Sequence, residues 1–542
     1  MSRGRPSLVL PALLVLFALV VAPSGACAAA PDVSAGERIY REGVLPSGAP
    51  LHGARRQSMD GEGPGIACVN CHKRSGLGSG EGTIRIAPIT SKYLFNRSGV
   101  QAGRPTLDAA AASDASRAAY DDASLAAAIR DGVGRGGRQL NYLMPRYRLD
   151  DAGMADLIAY LETLPTVTSP GIGDSTIEFA TVFTPDADPK VREGVLAVLN
   201  QFIADKNAFQ RGGAKPLRSE GQIDYRVTRR WRLHVWALNG PPAGWEAQLR
   251  RHLATEPVFA VLSGLGGRDW APVHHFCESE RLPCLFPNVA VPVDDERDFY
   301  TIYLSKGALL ESELIAAHLA QSSVNGRLIQ LYPPGDIGER AAARLRALAP
   351  MSLESIMRPV SHGNAAAIAR AVSEVRAGDV LVLWLGPADL SLLGPPPKNA
   401  TSIYLSGSLA GFEHAPLPAA WRAVAQLTYP ADLPEARAVR MNYPLRWFQI
   451  RQVAVVDEKV QTDTYLACGI VAEALNEMLD NFMGDYLIER IESMVSHRQL
   501  SGFYPHLGLA AGQRFASKGG YLVRFTEPGG PAISPTTEWI IP

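Results

Sequence analysis

Two cysteines and a histidine in one short segment carry the clearest chemistry of the sequence. Cys68 and Cys71 lie three positions apart and His72 follows directly, in the order Cys-Val-Asn-Cys-His. Two thiols at this spacing can form thioether bonds to the two vinyl groups of a haem, and the adjacent imidazole can then bind the iron. The segment therefore predicts one covalently attached haem c, with His72 as an axial ligand.

A disulfide and half of a zinc site are the competing interpretations of this segment. Zinc needs two further ligands, and no second cysteine pair occurs in residues 31–165. A redox-active Cys-x-x-Cys pair is typical of a βαβ unit, which the surrounding sequence does not predict. The haem interpretation is therefore the one we carry forward.

A histidine-bound haem iron needs a second axial ligand, and Met144 is the best candidate. It lies in a loop just before the last helix predicted in this part of the chain. A thioether ligand raises the haem potential and favours electron transfer over oxygen chemistry. Met59, Met154 and His52 are the rival ligands, although Met154 falls on the apolar stripe of a predicted helix.

The first thirty residues have the pattern of a secretory signal peptide. Arg3 and Arg5 precede an apolar run from Leu8 to Ala22, and small residues follow as far as Ala30. A positive start, a short apolar run and a small-residue cleavage site are typical of export. We therefore expect residues 1–30 to be removed, leaving a soluble periplasmic protein.

Residues 31–165 are predicted to be helices joined by long Gly-rich loops, without a convincing strand. One helix is expected to start at a capping box at Ser34, and two others to cover residues 121–133 and 150–164. Residues 166–176 are rich in turn-forming residues and are predicted to be a linker.

Residues 177–542 show apolar strands alternating with amphipathic helices, which predicts parallel sheets in an α/β fold. The predicted strands are residues 177–183, 231–238, 258–262, 285–289, 327–332, 380–385 and 401–405. A long apolar helix is predicted over residues 465–494. About 365 residues exceed one ordinary core, so two lobes are expected.

The composition is that of a globular protein without a strong electrostatic partner. The chain has 542 residues, 46% of them hydrophobic, and a formal net charge of −1. Near-neutral charge gives no reason to expect nucleic-acid binding. Four arginines flank Met144 and would hold haem propionates, dock an acidic redox partner or form an ordinary solvated rim: Arg135, Arg138, Arg146 and Arg148.

Residues 31–165 resemble a class I cytochrome c domain. Gly36 and Tyr40 on the first helix, with Tyr160 on the last, resemble the family's helix-crossing positions. The segment Ala87-Pro88-Ile89 resembles the family's Gly-Pro-x-Leu segment. This resemblance implies that the Pro88 carbonyl accepts a hydrogen bond from the ring of His72 and so orients it.

Residues 177–542 resemble a type 1 periplasmic solute-binding protein of the branched-chain amino-acid or amide class. The resemblance rests on export, strand–helix alternation, two-lobe length and the segment Val258 to Gly264. It implies that Ser263 and Gly264 contact a small ligand such as a carboxylate or amino acid, in the way a helix N-terminus binds an anion. The alternative is a plain strand-to-helix turn.

Three further cysteines and a histidine pair lie in the α/β part. Cys277 and Cys284 could be bridged, because an oxidising compartment permits disulfides. Cys468 lies in the long apolar helix and is predicted to be an inert buried thiol. The adjacent His274 and His275 diverge on a helix, so we expect a packing or surface role rather than a shared metal.

The sequence as a whole predicts a multidomain chain, an all-α cytochrome c domain followed by a two-lobed α/β domain. We expect an electron-transfer protein or subunit rather than a self-contained enzyme. Its redox partner would be a periplasmic dehydrogenase or oxidase. The alternatives are an ABC-type solute receptor or sensor with a regulatory or structural haem, and an α/β domain that has lost its ligand and docks an enzyme.

Overall fold

The computed structural model describes residues 1, 30–55, 60–81, 84–95, 119–164, 169–211, 229–295, 298–322, 324–398, 400–478, 481–497, 500–510 and 512–542. Two compact units divide these residues. The first unit contains the described residues of 1–67 and 120–162, and the second unit those of 68–119 and 163–542. The predicted signal peptide lies outside the described residues, apart from its two ends. The boundaries predicted at 31–165, 166–176 and 177–542 stay predictions.

The helices and strands are numbered here in chain order. The helices are α1 (Val33–Glu42), α2 (Val69–His72), α3 (Ser91–Leu94), α4 (Asp122–Arg130), α5 (Asp151–Thr163), α6 (Pro189–Arg211), α7 (Trp245–Thr255), α8 (Ala271–Ser279), α9 (Ala308–Ala320), α10 (Ile337–Leu348), α11 (Ala365–Ser373), α12 (Pro387–Leu390), α13 (Gly407–Ala410), α14 (Ala419–Arg422), α15 (Pro434–Ile450), α16 (Glu458–Met478) and α17 (Gly484–Val495). The strands are β1 (His52–Ala54), β2 (Gly61–Glu62), β3 (Gly80–Glu81), β4 (Ile84–Arg85), β5 (Arg146–Arg148), β6 (Thr176–Phe183), β7 (Arg230–Ala237), β8 (Ala260–Leu262), β9 (Cys284–Leu285), β10 (Thr301–Ser305), β11 (Gly326–Tyr332), β12 (Leu353–Pro359), β13 (Val380–Leu383), β14 (Ser402–Leu405), β15 (Ala425–Tyr429), β16 (Phe515–Ser517), β17 (Tyr521–Phe525) and β18 (Ile533–Pro535). Within the described part of the chain, no helix is long and apolar enough to cross a membrane.

The first unit is built around the crossing of α1 and α5. A Cβ atom on Gly36 would lie 2.0 Å from the backbone oxygen of Asp156, so only glycine permits this approach. The rings of Tyr40 and Tyr160 pack beside it with centroids 5.2 Å apart. The helix-crossing prediction is therefore confirmed. The predicted cap is wrong, because Asp32 rather than Ser34 accepts the first free amide hydrogens of α1.

The prediction of no convincing strand before residue 165 is wrong. Strands β2, β1 and β5 form a small antiparallel sheet in the first unit, and β3 pairs with β4 in the second. Each of these strands has only two or three residues. Such segments are too short to show a period of two in the sequence.

The second unit contains two large sheets that repeat one topology. The first sheet has the order β7-β6-β8-β9-β10-β16 and is parallel throughout. The second has the order β12-β11-β13-β14-β15-β17-β18, with β17 and β18 antiparallel. The first five strands of each sheet thus share the order 2-1-3-4-5. The predicted α/β fold with parallel sheets is confirmed, and its division into two lobes stays a prediction.

Several elements of the second unit were missed or merged in the sequence prediction. Strands β10, β12, β15, β16, β17 and β18 were not predicted. The predicted helix 465–494 is wrong as a single helix, because α16 ends at Met478 and α17 begins at Gly484. Asn481 and Gly484 favour a turn over a helix interior, whereas the apolar stripe continues across the break.

Candidate functional site

The Cys-x-x-Cys-His segment forms one short helical turn, α2. Cys68 caps it and its carbonyl oxygen accepts the backbone N–H of His72 at 2.9 Å. Residues three apart lie on one side of a helix, so the Cys68 and Cys71 side chains share a face. Cys68 and His72 are buried and Cys71 is half-buried. The turn therefore presents two thiols on one face, and the buried imidazole of His72 follows them in the chain.

The ring of His72 is held by a backbone carbonyl. Its Nδ1 lies 3.1 Å from the oxygen of Ala87, and since a carbonyl can only accept, Nδ1 carries the proton. The sequence resemblance assigned this role to Pro88; the acceptor is instead Ala87, one residue earlier. The Nε2 lone pair is then the one available to a metal, which is the tautomer that haem ligation requires.

Burial keeps this imidazole neutral. It lowers the pKa of His72 to about 4, against the smaller opposing effect of the hydrogen bond to Ala87. A ligand to iron must be unprotonated, so the site matches the needs of a haem without further deprotonation. The described residues therefore fit the group that the sequence predicts.

A sharp turn after α2 brings the Ala87 segment to the histidine. Lys73 has a positive φ of 63° and Gly78 one of 79°. A Cβ atom on Gly78 would lie 2.1 Å from the backbone oxygen of Ile86, so glycine permits this close approach. The chain therefore folds back and places the Ala87 carbonyl within reach of the ring.

Met144 lies in the first unit, in the loop that precedes β5. Its backbone N–H donates to Asn141 at 3.1 Å and its carbonyl accepts from Arg146 at 2.6 Å, while the residue is half-buried. Its role as distal ligand stays a prediction. Among the rivals, Met154 is buried in α5, the side chain of His52 is half exposed, and Met59 lies outside the described residues.

The four arginines near Met144 differ in the groups that they contact. Arg146 donates to backbone oxygens of its own loop, Arg135 lies over the ring of Tyr120, and Arg148 pairs with Asp60. Arg138 is exposed. A role for these side chains toward haem propionates or an acidic partner stays a prediction.

Ser263 and Gly264 follow β8 but lie far ahead of the next helix, which begins at Ala271. Ser263 is fully buried, and its hydroxyl lies 3.1 Å from both the Thr464 hydroxyl and the Asn288 amide nitrogen. These contacts tie the end of β8 to α16 and favour a structural role for Ser263. Ligand contact by Ser263 and Gly264 stays a prediction.

The three cysteines of the α/β part and His274 are buried in the fold, whereas His275 is exposed. Cys277 and Cys284 are joined by a disulfide, and Cys468 is buried in α16, where burial raises the pKa of its thiol. His274 is buried with its ring nitrogens 2.8 Å from the Tyr303 hydroxyl and 2.7 Å from an Asp298 oxygen. Hydrogen bonds within the fold thus account for His274.

Sequence reasoning missed two residues next to the haem segment, Ser75 and Glu489. Ser75 donates to the Glu489 carboxylate, although the two are 414 positions apart. Neither residue stands in a recognisable motif, so only the fold brings them together.

Residues 65–165 match the family model described as cytochrome c. No curated protein matches the chain. Solved structures similar to the chain include a fatty acid ABC transporter substrate-binding protein from Thermomonospora curvata, with 17% identity over 69% of this chain and 95% of that chain and a TM-score of 0.44. A branched-chain amino acid transporter substrate-binding protein from Streptococcus pneumoniae, solved with isoleucine, gives 9% identity, 68% and 100% coverage and a TM-score of 0.47. An ABC transporter solute-binding protein from Rhodopseudomonas palustris was solved with 3,4-dihydroxybenzoic acid. It has 12% identity over 68% of this chain and 98% of that chain, with a TM-score of 0.47.

The family match covers the thiols, the histidine and Met144, which the sequence singled out on chemical grounds. The second unit supplies the doubled 2-1-3-4-5 sheet order. Residues 65–165 thus match a cytochrome c family model, and the α/β region of the same chain has two large sheets with one strand order.

Proposed function

We propose that this chain is an exported c-type cytochrome that transfers single electrons in the periplasm. One haem c would be bound through Cys68 and Cys71, with His72 and Met144 as axial ligands. The observation that carries the proposal is the buried His72 ring, whose Nδ1 is tied to Ala87 and whose Nε2 is therefore the metal-binding nitrogen. When bound, the haem supplies reversible one-electron redox chemistry.

The protein's own residues would bind, orient and shield that group. The two thiols would hold the haem covalently, and the Ala87 carbonyl sets the ring orientation of His72. Met144 would complete the coordination, leave no open position for oxygen and raise the potential. Together these roles suit electron transfer rather than oxygen activation.

The α/β region would supply recognition. Its doubled parallel sheets support binding of a small molecule such as a carboxylate or an amino acid, or of a partner protein. The redox partner would be a periplasmic dehydrogenase or oxidase that delivers or takes the electron. The signal-like segment at residues 1–30 supports export, which thioether attachment normally requires.

Haem staining of the exported protein on a denaturing gel tests the attachment. The double variant Cys68→Ala with Cys71→Ala should lose all covalent haem, because both thioether bonds are gone. Cys468→Ala, which removes a buried thiol elsewhere, is the matched control and should stain like the wild type. A stained band from the double variant would refute the assignment.

The distal ligand is tested on the ferric protein. Met144→Ala should abolish the weak red absorption band that the family associates with Met–iron ligation, lower the midpoint potential and let cyanide bind faster. Met154→Leu is the control, because Met154 is a buried residue of α5. If the band survives in Met144→Ala, another residue is the ligand.

A solute receptor with a regulatory haem is the second candidate, and the doubled sheet order is the observation that favours it. A thermal-shift screen of small carboxylates and amino acids on oxidised and reduced protein separates the two. A stabilising ligand whose effect ignores the haem state would favour the receptor. A ligand effect that changes with the haem state would favour coupled electron transfer.

A further inference from the structure

The chain segment that follows His72 packs on helix α17 of the same unit. Ser75 is fully buried and donates twice to Glu489, from its backbone N–H to Oε1 at 2.9 Å and from its hydroxyl to Oε2 at 2.5 Å. The guanidinium of the adjacent Arg74 lies 4.1 Å from the centre of the Phe299 ring. Specific contacts therefore hold the turn that carries the histidine against α17.

Helix α17 carries three acidic residues in this region. We call them the acid face: Asp485, Glu489 and Glu492. They are spaced four and three positions apart and so lie along one side of the helix. Asp485 accepts from the Tyr300 hydroxyl at 2.8 Å, and Glu492 pairs with the Arg514 guanidinium. Glu489, between them, forms no salt bridge with any residue that the structure describes.

The surroundings of Glu489 favour its protonated form near neutral pH. Burial raises the pKa of Glu489 to about 8; the hydrogen bonds from Ser75 oppose this rise, and the neighbouring charges of Asp485 and Glu492 add to it. A half-buried carboxyl whose pKa lies in this range binds or releases a proton in response to a small change in local charge.

The cations of the region act mainly on the neighbours of Glu489. Arg514 and Lys73 lower the pKa of Glu492, against the larger effect of burial. Arg74 lowers the pKa of Tyr300, again against burial. Glu489 is therefore the acid whose charge the surroundings compensate least.

We propose that Glu489 is a redox-linked proton site, an inference that rests on the proposed haem function. Ser75 is three residues from His72, and since a residue spans at most about 3.6 Å, their Cα atoms lie within about 11 Å. At an effective dielectric of about 20, two unit charges about 15 Å apart change a proton affinity by about fivefold. The positive charge that the haem gains on oxidation would therefore disfavour the proton on Glu489.

Electron transfer at the haem would be coupled to proton transfer at Glu489 in both directions. On reduction, one electron enters from the donor protein, and in a fraction of the molecules a proton from bulk water binds the Glu489 carboxylate. On oxidation, the electron passes to the acceptor protein and the carboxyl releases the proton to water. The α/β region would in this way take part in the redox equilibrium, because α17 holds the proton.

Midpoint potentials of the full-length haem protein, measured across the pH range around the pKa of Glu489, test this proposal. The wild-type potential should fall as pH rises through this range, because reduction takes up a proton there and protons become less available. Glu489→Gln keeps an acceptor for Ser75 but cannot titrate, so its potential should vary less with pH. Glu435→Gln, at an exposed position on α15, is the control and should behave like the wild type.

Ser75→Ala gives a second, directional test. Loss of the hydroxyl removes a hydrogen bond that lowers the pKa of Glu489, so the pH-dependent range should move to higher pH. The reduced-minus-oxidised infrared spectrum should also show a protonated-carboxyl band that Glu489→Gln lacks.

Failure of this proposal differs from failure of the proposed function. A haem-loaded Glu489→Gln protein with the wild-type pH dependence, or without loss of an infrared carboxyl band, would overturn the redox-linked role. A wild-type protein that attaches no haem would instead overturn the cytochrome assignment.

Discussion

Two regions of the second unit enclose a carboxyl group, Glu413 fully and Glu489 partly, and they compensate its charge in different ways. Glu413 accepts from the Tyr429 hydroxyl at 2.7 Å and pairs with the guanidinium of Arg437, which also contacts Tyr429. We call these three residues the arginine cluster. Glu489 in the acid face has hydrogen bonds from Ser75 and no salt bridge among the described residues.

The two surroundings shift the pKa values of Glu413 and Glu489 in opposite directions. Burial alone would raise the pKa of Glu413, but Tyr429 and Arg437 outweigh it and lower the pKa below its ordinary value. Burial raises the pKa of Glu489, and Ser75 offsets only part of this. One region thus keeps a fixed charge that stabilises the fold, while the other keeps a carboxyl that can titrate.

The arginine cluster should show the larger cost when its cation is removed. Arg437→Met should lower the free energy of unfolding by about 2–4 kcal/mol, because it leaves Glu413 buried without a counter-ion. This is somewhat below the cost for a fully buried pair, since 12% of the Arg437 side chain is exposed. Urea unfolding at neutral pH measures the change.

The control for that variant is Arg446→Met on the same helix. Arg446 is exposed and hydrogen-bonds only to Asn442 among the contacts that the structure describes. Its replacement should change the unfolding free energy by less than about 0.5 kcal/mol. An equal loss in both variants would mean that the cluster does not stabilise the fold through Glu413.

The acid face should instead show itself through pH. A carboxyl whose folded pKa is about 8 stabilises the protein fully below its ordinary pKa and loses that contribution as pH rises through about 8. Glu489→Gln should remove a fall of about 1–3 kcal/mol between mildly acidic and alkaline pH. Urea unfolding as a function of pH measures it.

Other acidic groups with a raised pKa will leave part of the pH dependence of the unfolding free energy in the variant. Burial raises the pKa of Glu311 to about 7, so the comparison must be the difference between wild type and Glu489→Gln. Glu435→Gln again serves as the control. Identical alkaline slopes in wild type and Glu489→Gln would remove the distinction between the two regions.

The sequence predicted the chemistry of the Cys-x-x-Cys-His segment better than its packing. The Cys68-x-x-Cys71-His72 motif is local, so its residue types alone indicate haem attachment. The acceptor for His72 depended on a loop register that departs from the family pattern, and the prediction missed it by one residue. Ser75 and Glu489 meet across 414 positions, and no periodicity or motif can report such a contact.

The α/β part shows the same limit at the level of elements. Strand β13 is a continuous apolar run and strand β6 is mainly apolar, and both were predicted from the sequence. Strand β12 is mostly half-buried and carries an exposed charged residue, Glu354, and its pairing with β11 came only from the fold. The doubled 2-1-3-4-5 order has no sequence repeat behind it, because a topology constrains burial and connection rather than residue identity.

Removing the Ser75 hydroxyl, which donates to Glu489 of the acid face, should have a moderate effect on stability. Ser75→Ala loses the bond from the hydroxyl to Glu489 but keeps the one from the backbone N–H. The free energy of unfolding should fall by about 1–2 kcal/mol, because a buried acceptor loses a partner. Ser391→Ala, an exposed serine at the end of α12, is the control for thermal and urea unfolding. A loss no greater than in the control would mean that this contact does not hold the segment on α17.

The smallest effect should come from the neighbour of Glu489 on the acid face. Asp485 raises the pKa of Glu489 by like-charge repulsion, and Asp485→Asn keeps the acceptor for Tyr300 while removing that charge. The alkaline loss of stability should therefore begin at slightly lower pH, a change of about 0.5 kcal/mol at a pH close to the pKa of Glu489. The shift should vanish when Asp485→Asn is combined with Glu489→Gln, because the carboxyl on which the Asp485 charge acts in this pH range is then gone. If the shift persists in the double variant, the Asp485 charge acts on another group, and the acid face is not the electrostatic unit that its helical spacing suggests.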